Sequence, residues 1–181
     1  MTMKSKQIET LVNGYYKMAE RLAERLQGLE DHSHSYQEII DNIRQEAVAL
    51  KELTKEEAHQ VSEWLKRDVN ALTREAAETG KDFKEWFPFE LKVEEAYLWD
   101  KIMSAADTTT LGLLELKEEA MLADYEIWHT GQVTAPGILE CTQCGEQLHF
   151  EKSGHIPPCP KCGNTTFTRV TTSNSNDTTD E

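Results

Sequence analysis

The first 140 residues of this 181-residue chain contain no cysteine, and the first 87 contain no proline. Without proline, which removes a backbone donor and clashes with the preceding turn, long stretches are free to run as helix. Without scattered cysteines there is no disulfide framework of the kind that holds small secreted domains together. No apolar run approaches the roughly 18 residues that a membrane-spanning helix needs. The start, Met1 to Glu9, has no apolar h-region, so no secretory signal is expected. The sequons at Asn164 and Asn176 then carry no weight, and a soluble cytoplasmic protein is expected.

Positive charge is scarce too. Nineteen Lys and Arg face 33 Asp and Glu, a net charge of −14. Phosphate binding runs on clustered Lys and Arg, so the chain as a whole is a poor candidate for gripping nucleic acid. The sequence also lacks a Gly-rich phosphate loop, a GxSxG elbow and an HExxH helix motif. Its many carboxylates include no isolated pair in an apolar setting, which a general acid/base couple would need. An enzyme is not expected.

What is present divides near Gly131. Residues 1–131 carry 16 basic and 27 acidic residues, a net −11; residues 132–170 carry three of each; the tail 171–181 carries three acids and no base. In the first region Ile8, Leu11, Tyr15, Met18, Leu22 and Leu26 recur at three- and four-residue steps, which predicts an amphipathic helix over about 4–29. Ser35 with Glu38, and Thr54 with Glu57, have the capping-box pattern, in which each residue satisfies an orphan N–H of the other. They open helices expected over 35–53 and 55–85, with a short break near Leu53-Thr54. Pro88 disfavours helix at Phe87, and the aromatics around it are expected to form a hinge core. Further helices are expected over 90–103 and 108–123. Helices of this kind owe their stability to packing stripe on stripe, as a hairpin or bundle within one chain or as a coiled-coil homodimer. The polar tail 171–181 has nothing to bury and is expected to be disordered.

The chemically specific feature is Cys141-Thr142-Gln143-Cys144-Gly145 and Cys159-Pro160-Lys161-Cys162-Gly163, two CxxCG knuckles fourteen residues apart. Two intervening residues let the chain turn so that both sulfurs face one point, and a following glycine tolerates the positive φ of that turn. Two such turns supply a tetrahedral Cys₄ site for one structural Zn²⁺ at Cys141, Cys144, Cys159 and Cys162. Iron in a rubredoxin-like electron-transfer role is the rival metal. Ile138–Cys141, Gln147–Glu151 and Thr165–Val170 are β-prone, so residues 132–170 read as a small β zinc ribbon. Zinc binding supplies much of the folding energy of so small a module. His149 alternates away from Leu148 and Phe150 and reads as a solvent-facing strand residue. Trp128 and His129 read as packing between the last helix and the ribbon.

Together these features resemble the YbeL-like family of small bacterial zinc-ribbon proteins. The resemblance rests on Tyr15-Tyr16 in the first helix, the restart at Leu53-Thr54-Lys55-Glu56-Glu57, the stretch Trp128-His129-Thr130-Gly131-Gln132-Val133, the two CxxCG knuckles and a last strand containing Phe167. Gln132 stands where the family would place an acid, and no glycine precedes Leu53-Thr54. The resemblance implies the mainly α fold with a C-terminal ribbon, and no activity.

The expected function is non-enzymatic: an acidic helical domain docking on a protein partner, with the ribbon as a rigid second contact. A partner with a basic surface suits that charge. The alternative is a zinc-ribbon regulator associated with nucleic acid or the transcription machinery, for which the ribbon offers Lys152, Lys161 and Arg169 against Glu140, Glu146 and Glu151.

Overall fold

The computed structural model describes residues 5–27, 36–79, 89–108 and 127–170. Four helices, α1 Ser5–Gln27, α2 Tyr36–Ala49, α3 Lys55–Thr79 and α4 Val93–Thr108, precede six short strands. These are β1 Trp128–His129, β2 Val133–Thr134, β3 Gly137–Cys141, β4 Gln147–Phe150, β5 Gly154–His155 and β6 Thr166–Arg169. Beyond its first residue, the helix expected over 108–123 lies outside the described residues, as do the tail, Ser35 and most of the aromatics around Pro88.

The sequence stripes become one core. Leu11, Tyr15, Met18 and Leu22 of α1 meet Ile39, Ile40 and Ile43 of α2, Val61, Leu65, Val69 and Leu72 of α3, and Leu98, Trp99 and Ile102 of α4. Each aliphatic side chain fully removed from water there contributes roughly 1.5–3 kcal/mol. Helix α1 packs on all three others, and α3 packs on α2 and α4, so the helical part is a bundle built within one chain.

The break between α2 and α3 is built from two complete caps. Helix α2 ends at Ala49, short of the expected 53, because Lys51 turns into the left-handed region at φ 56°. The N–H of Glu52 then reaches back to the Ala47 carbonyl and that of Lys51 to Val48, the 6→1 and 5→2 pair of a Schellman motif. Thr54 and Glu57 close the expected capping box reciprocally at 3.0 and 3.2 Å, starting α3. Arg21 holds Glu52 through two bonds at 2.8 and 3.0 Å, pinning this corner to α1. Gly14 permits the approach, since a Cβ there would lie 2.8 Å from both Leu53 methyls.

Strands β1, β6, β3 and β4, in that order, form an antiparallel four-stranded sheet, and β2 pairs with β5 in a second. The three expected ribbon strands appear as β3, β4 and β6. The two-residue strands β1, β2 and β5 are too short for alternation to reveal them. Trp128 lies in β1, opposite Phe167. It turns its indole to α3, where the ring N–H finds the Asp68 carboxylate; the last helix it was expected to pack against lies outside the described residues.

The bundle and the ribbon exchange core residues. Val133 and Ala135 are buried in the helical core, while Ala71 of α3 belongs to the ribbon core with Trp128, Leu139, Cys141, Ile156, Cys159 and Phe167.

Candidate metal centre

Each knuckle is built by the same backbone device. The N–H of Gly145 returns to the Cys141 carbonyl at 3.0 Å and that of Gly163 to Cys159 at 2.9 Å. Both glycines are left-handed, at φ 71° and 77°, where a Cβ would be strained. The Cys141 N–H donates to the Glu146 carbonyl, and the Cys159 N–H to that of Asn164, both at 2.8 Å. Two local turns of the same shape thus present two sulfurs each. Strand β3 delivers Cys141, and the last residues before β6 complete the second knuckle.

The four sulfurs meet within 4.8 Å of one another. Cys141 and Cys162 are 3.6 Å apart, as are Cys144 and Cys159. These separations are far beyond a disulfide bond of about 2.05 Å. They are close to the roughly 3.8 Å that a tetrahedron with metal–sulfur bonds near 2.3 Å would set.

The electrostatics call for a cation. Burial opposes ionisation of Cys141, but the Asn164 amide and the backbone N–H groups of Gln143 and Cys144 outweigh it and bring the thiol down to about 6. At Cys144 the Glu146 backbone N–H favours the thiolate, yet burial and the three neighbouring cysteines push the group up to about 12. Cys162 is raised as well, because burial and the Cys141 and Cys159 sulfurs outweigh the backbone N–H of Asn164. Four sulfurs this close cannot all ionise unless a cation sits among them.

The donor set fits one structural Zn²⁺ held by Cys141, Cys144, Cys159 and Cys162. Four thiolates complete a tetrahedron and leave no position for substrate or water. Each knuckle also reaches across to the other. Asn164 donates its amide to the Cys141 sulfur at 3.5 Å and to Thr142 at 3.0 Å, while Lys161 lies 3.7 Å from Glu146. His149 is exposed and stacks on Phe89 at 5.1 Å, away from the sulfurs.

The sequence reading missed three buried acids, Asp68, Glu75 and Glu95, of which Asp68 and Glu95 tie the bundle to the ribbon. Asp68 of α3 is fully buried and saturated. Its Oδ1 accepts from Arg67 Nε and Trp128 Nε1, both at 2.9 Å. Its Oδ2 accepts from the Tyr15 hydroxyl at 2.6 Å and the Ala135 N–H at 2.8 Å. Burial alone would raise this carboxyl, but the Arg67 and Arg169 guanidiniums and the bonds from Arg67 and Tyr15 hold it below its ordinary value. The two guanidiniums also approach the Trp128 ring, at 4.8 and 5.6 Å from its centroid. Glu95 of α4 is the second such tie. It takes the Ser153 N–H and hydroxyl, each at 2.9 Å, and the Trp99 indole at 3.2 Å. Burial pushes its carboxyl up against those bonds.

Both acids lie on apolar stripes, Asp68 between Leu65 and Leu72, and Glu95 three and four residues before Leu98 and Trp99. That placement was the available signal. With the oxygens of both carboxylates accepting bonds from bundle and ribbon, these clusters are joints between the two.

Residues 23–171 match the family model described as a zinc-ribbon containing domain. The chain is 24% identical over 155 residues to the uncharacterized protein YbeL of Escherichia coli strain K12, an alignment covering 86% of this chain and 92% of that relative. The figures are the same for YbeL of Escherichia coli O6:H1 and O157:H7. No solved structure matches. Among the described residues, no helix is long and apolar enough to cross a membrane.

Proposed function

The chain belongs to the zinc-ribbon containing domain family, and from that premise we propose a non-enzymatic interaction protein. Its acidic helical body docks on a protein partner with a basic surface, and the ribbon serves as a rigid, metal-stabilised contact. The observation that carries this reading is the closed site: four sulfurs within 4.8 Å of one another fill the coordination sphere and leave nothing for a substrate to occupy.

The charge distribution supports the choice of partner. Glu9, Glu20, Glu24, Glu56 and Glu94 outnumber Lys6 and Lys55 among the exposed charges of the helices, and a net negative surface attracts a basic one over about a Debye length. Direct nucleic-acid binding is less favoured. Of the ribbon's three cations, Arg169 is committed inward to the Pro136 and Ala135 carbonyls, and Lys161 lies beside Glu146.

The test is affinity capture with the zinc-loaded chain and with a variant carrying glutamine at Glu9, Glu20 and Glu24, each at low and high salt. A partner held at low salt, released at high salt and lost from the variant is the expected result. Partners insensitive to both changes, or none under any condition, would overturn the reading. A mobility shift of DNA or RNA at low salt would favour the nucleic-acid alternative instead.

A further inference from the structure

We infer that metal occupancy of the ribbon governs the packing of α3 and α4 in the helical body, through two polar latches that only a folded ribbon can close. The inference concerns the chain's own mechanics and does not depend on which partner it meets.

The first latch is at Asp68. Two of its four donors, Tyr15 and Arg67, belong to the bundle; the other two, the Trp128 indole and the Ala135 N–H, belong to the segment that forms β1 and follows β2. Arg67 in turn donates to the Val133 carbonyl at 2.9 Å and to the Gln132 side chain. The second latch is at the start of α4. There the Glu95 carboxylate holds Ser153, and the Lys92 N–H donates to the Glu151 carbonyl at 3.0 Å.

The path from sulfur to latch is one strand wide. Cys141 is the register partner of Phe167, and Phe167 is the partner of Trp128. Cys141, Cys159, Phe167, Trp128 and Ala71 of α3 share one apolar cluster, so two of the ligands belong to the cluster that also takes in the bundle. A module this small has too little core to hold its fold once the metal is gone.

Releasing the ribbon then takes two donors from Asp68 and the Val133 and Gln132 acceptors from Arg67. A buried charge left partly unpaired is costly, so α3 must open locally to water around these residues. Helix α2 packs on α1 and α3, and its apolar residues meet the helical core far from the latch residues in sequence. It provides the internal control.

The experiment is native-state amide hydrogen exchange on the full chain, zinc-loaded and after removal of zinc by a chelator under reducing conditions, with zinc content measured in parallel. Amides of residues 66–73 in α3 and 95–99 in α4 should exchange about tenfold faster or more without metal, while those of residues 40–47 in α2 change by less than about threefold. Re-adding zinc should restore protection. Unchanged rates at 66–73 in the metal-free chain would overturn the inference. So would an equal loss of protection in all four helices, because the latches act locally.

A second measurement separates the latch from the metal. Zinc-loaded Trp128→Phe keeps an aromatic ring but loses the N–H to Asp68. It should keep one zinc per chain and still exchange faster at 66–73, and wild-type rates there would count against the latch.

Discussion

Replacing Asp68 by asparagine leaves the shape of the side chain intact and changes its chemistry. The carboxylate accepts four hydrogen bonds, from Arg67, Trp128, Tyr15 and the Ala135 backbone, at 2.6 to 2.9 Å. Asparagine has one acceptor oxygen and one amide nitrogen that only donates. Its least costly orientation places the nitrogen toward Tyr15, whose hydroxyl can reverse and accept, but the Ala135 N–H beside it is then left facing a donor. An orphaned buried N–H costs about 1–3 kcal/mol. Arg67, itself buried, loses its counter-charge at the same time, and breaking a buried ion pair from one side costs about 3–5 kcal/mol. The two costs overlap, so the expected loss is about 3–5 kcal/mol, a large share of a typical 5–15 kcal/mol. Urea unfolding of the zinc-loaded variant, followed by both circular dichroism and tryptophan fluorescence, measures it. Tyr15→Phe removes one neutral donor from the same carboxylate and should cost less, about 1.5–3 kcal/mol. A loss below about 1 kcal/mol for Asp68→Asn, or a Tyr15→Phe loss as large, would refute the reasoning that the buried charge organises this joint.

Lys51→Gly should stabilise the chain by about 1 kcal/mol, since Lys51 sits at φ 56° in the Schellman turn where a side chain is strained; the urea midpoint should rise with an unchanged slope. Asn164→Ala removes the amide from the Cys141 sulfur and should weaken zinc binding roughly 10- to 100-fold in competition with a chelating dye, with the fold retained at saturating metal. Glu95 is raised by burial, so its contribution to stability is full below the ordinary glutamate value of about 4.3 and is lost as pH rises through the folded value. Asp68, held low by Arg67 and Arg169 against its burial, contributes fully above about 3.9 and loses that contribution as pH falls through its own folded value. Urea midpoints measured against pH should therefore lose the upper slope in Glu95→Gln, and identical profiles for variant and wild type would contradict the assignment.

Helices α1 to α4 were legible because each carries an amphipathic stripe that must find another. Thr54 and Glu57 located the restart of α3 to the residue, since a capping box is a local device whose two bonds need nothing from the rest of the chain. The four cysteines were legible for the same reason: spacing and a left-handed glycine fix each knuckle before any tertiary contact forms. What stayed hidden depends on distant partners. Asp68 looks like one more acid in an acidic helix until Trp128 and Ala135, 60 and 67 residues later, are brought against it. Arg169 counted as a surface cation in the sequence, yet its guanidinium turns inward to the Pro136 and Ala135 carbonyls. The end of α2 was overrun because Lys51 occupies a position that glycine usually marks.

The four sulfurs are not equally sheltered: Cys141 and Cys159 are buried, Cys144 is intermediate and Cys162 is exposed. Metal exchange therefore has a direction. An incoming chelator or competing thiolate would meet Cys162 first, on the open face with Pro160 and Lys161 exposed beside it. Cys141, at the end of β3 and holding the Asn164 amide, and Cys159, in the same apolar cluster, would be the later ones to release. The lifetime of a bound ion would thus be set at one corner of the tetrahedron, while its affinity would draw on all four sulfurs.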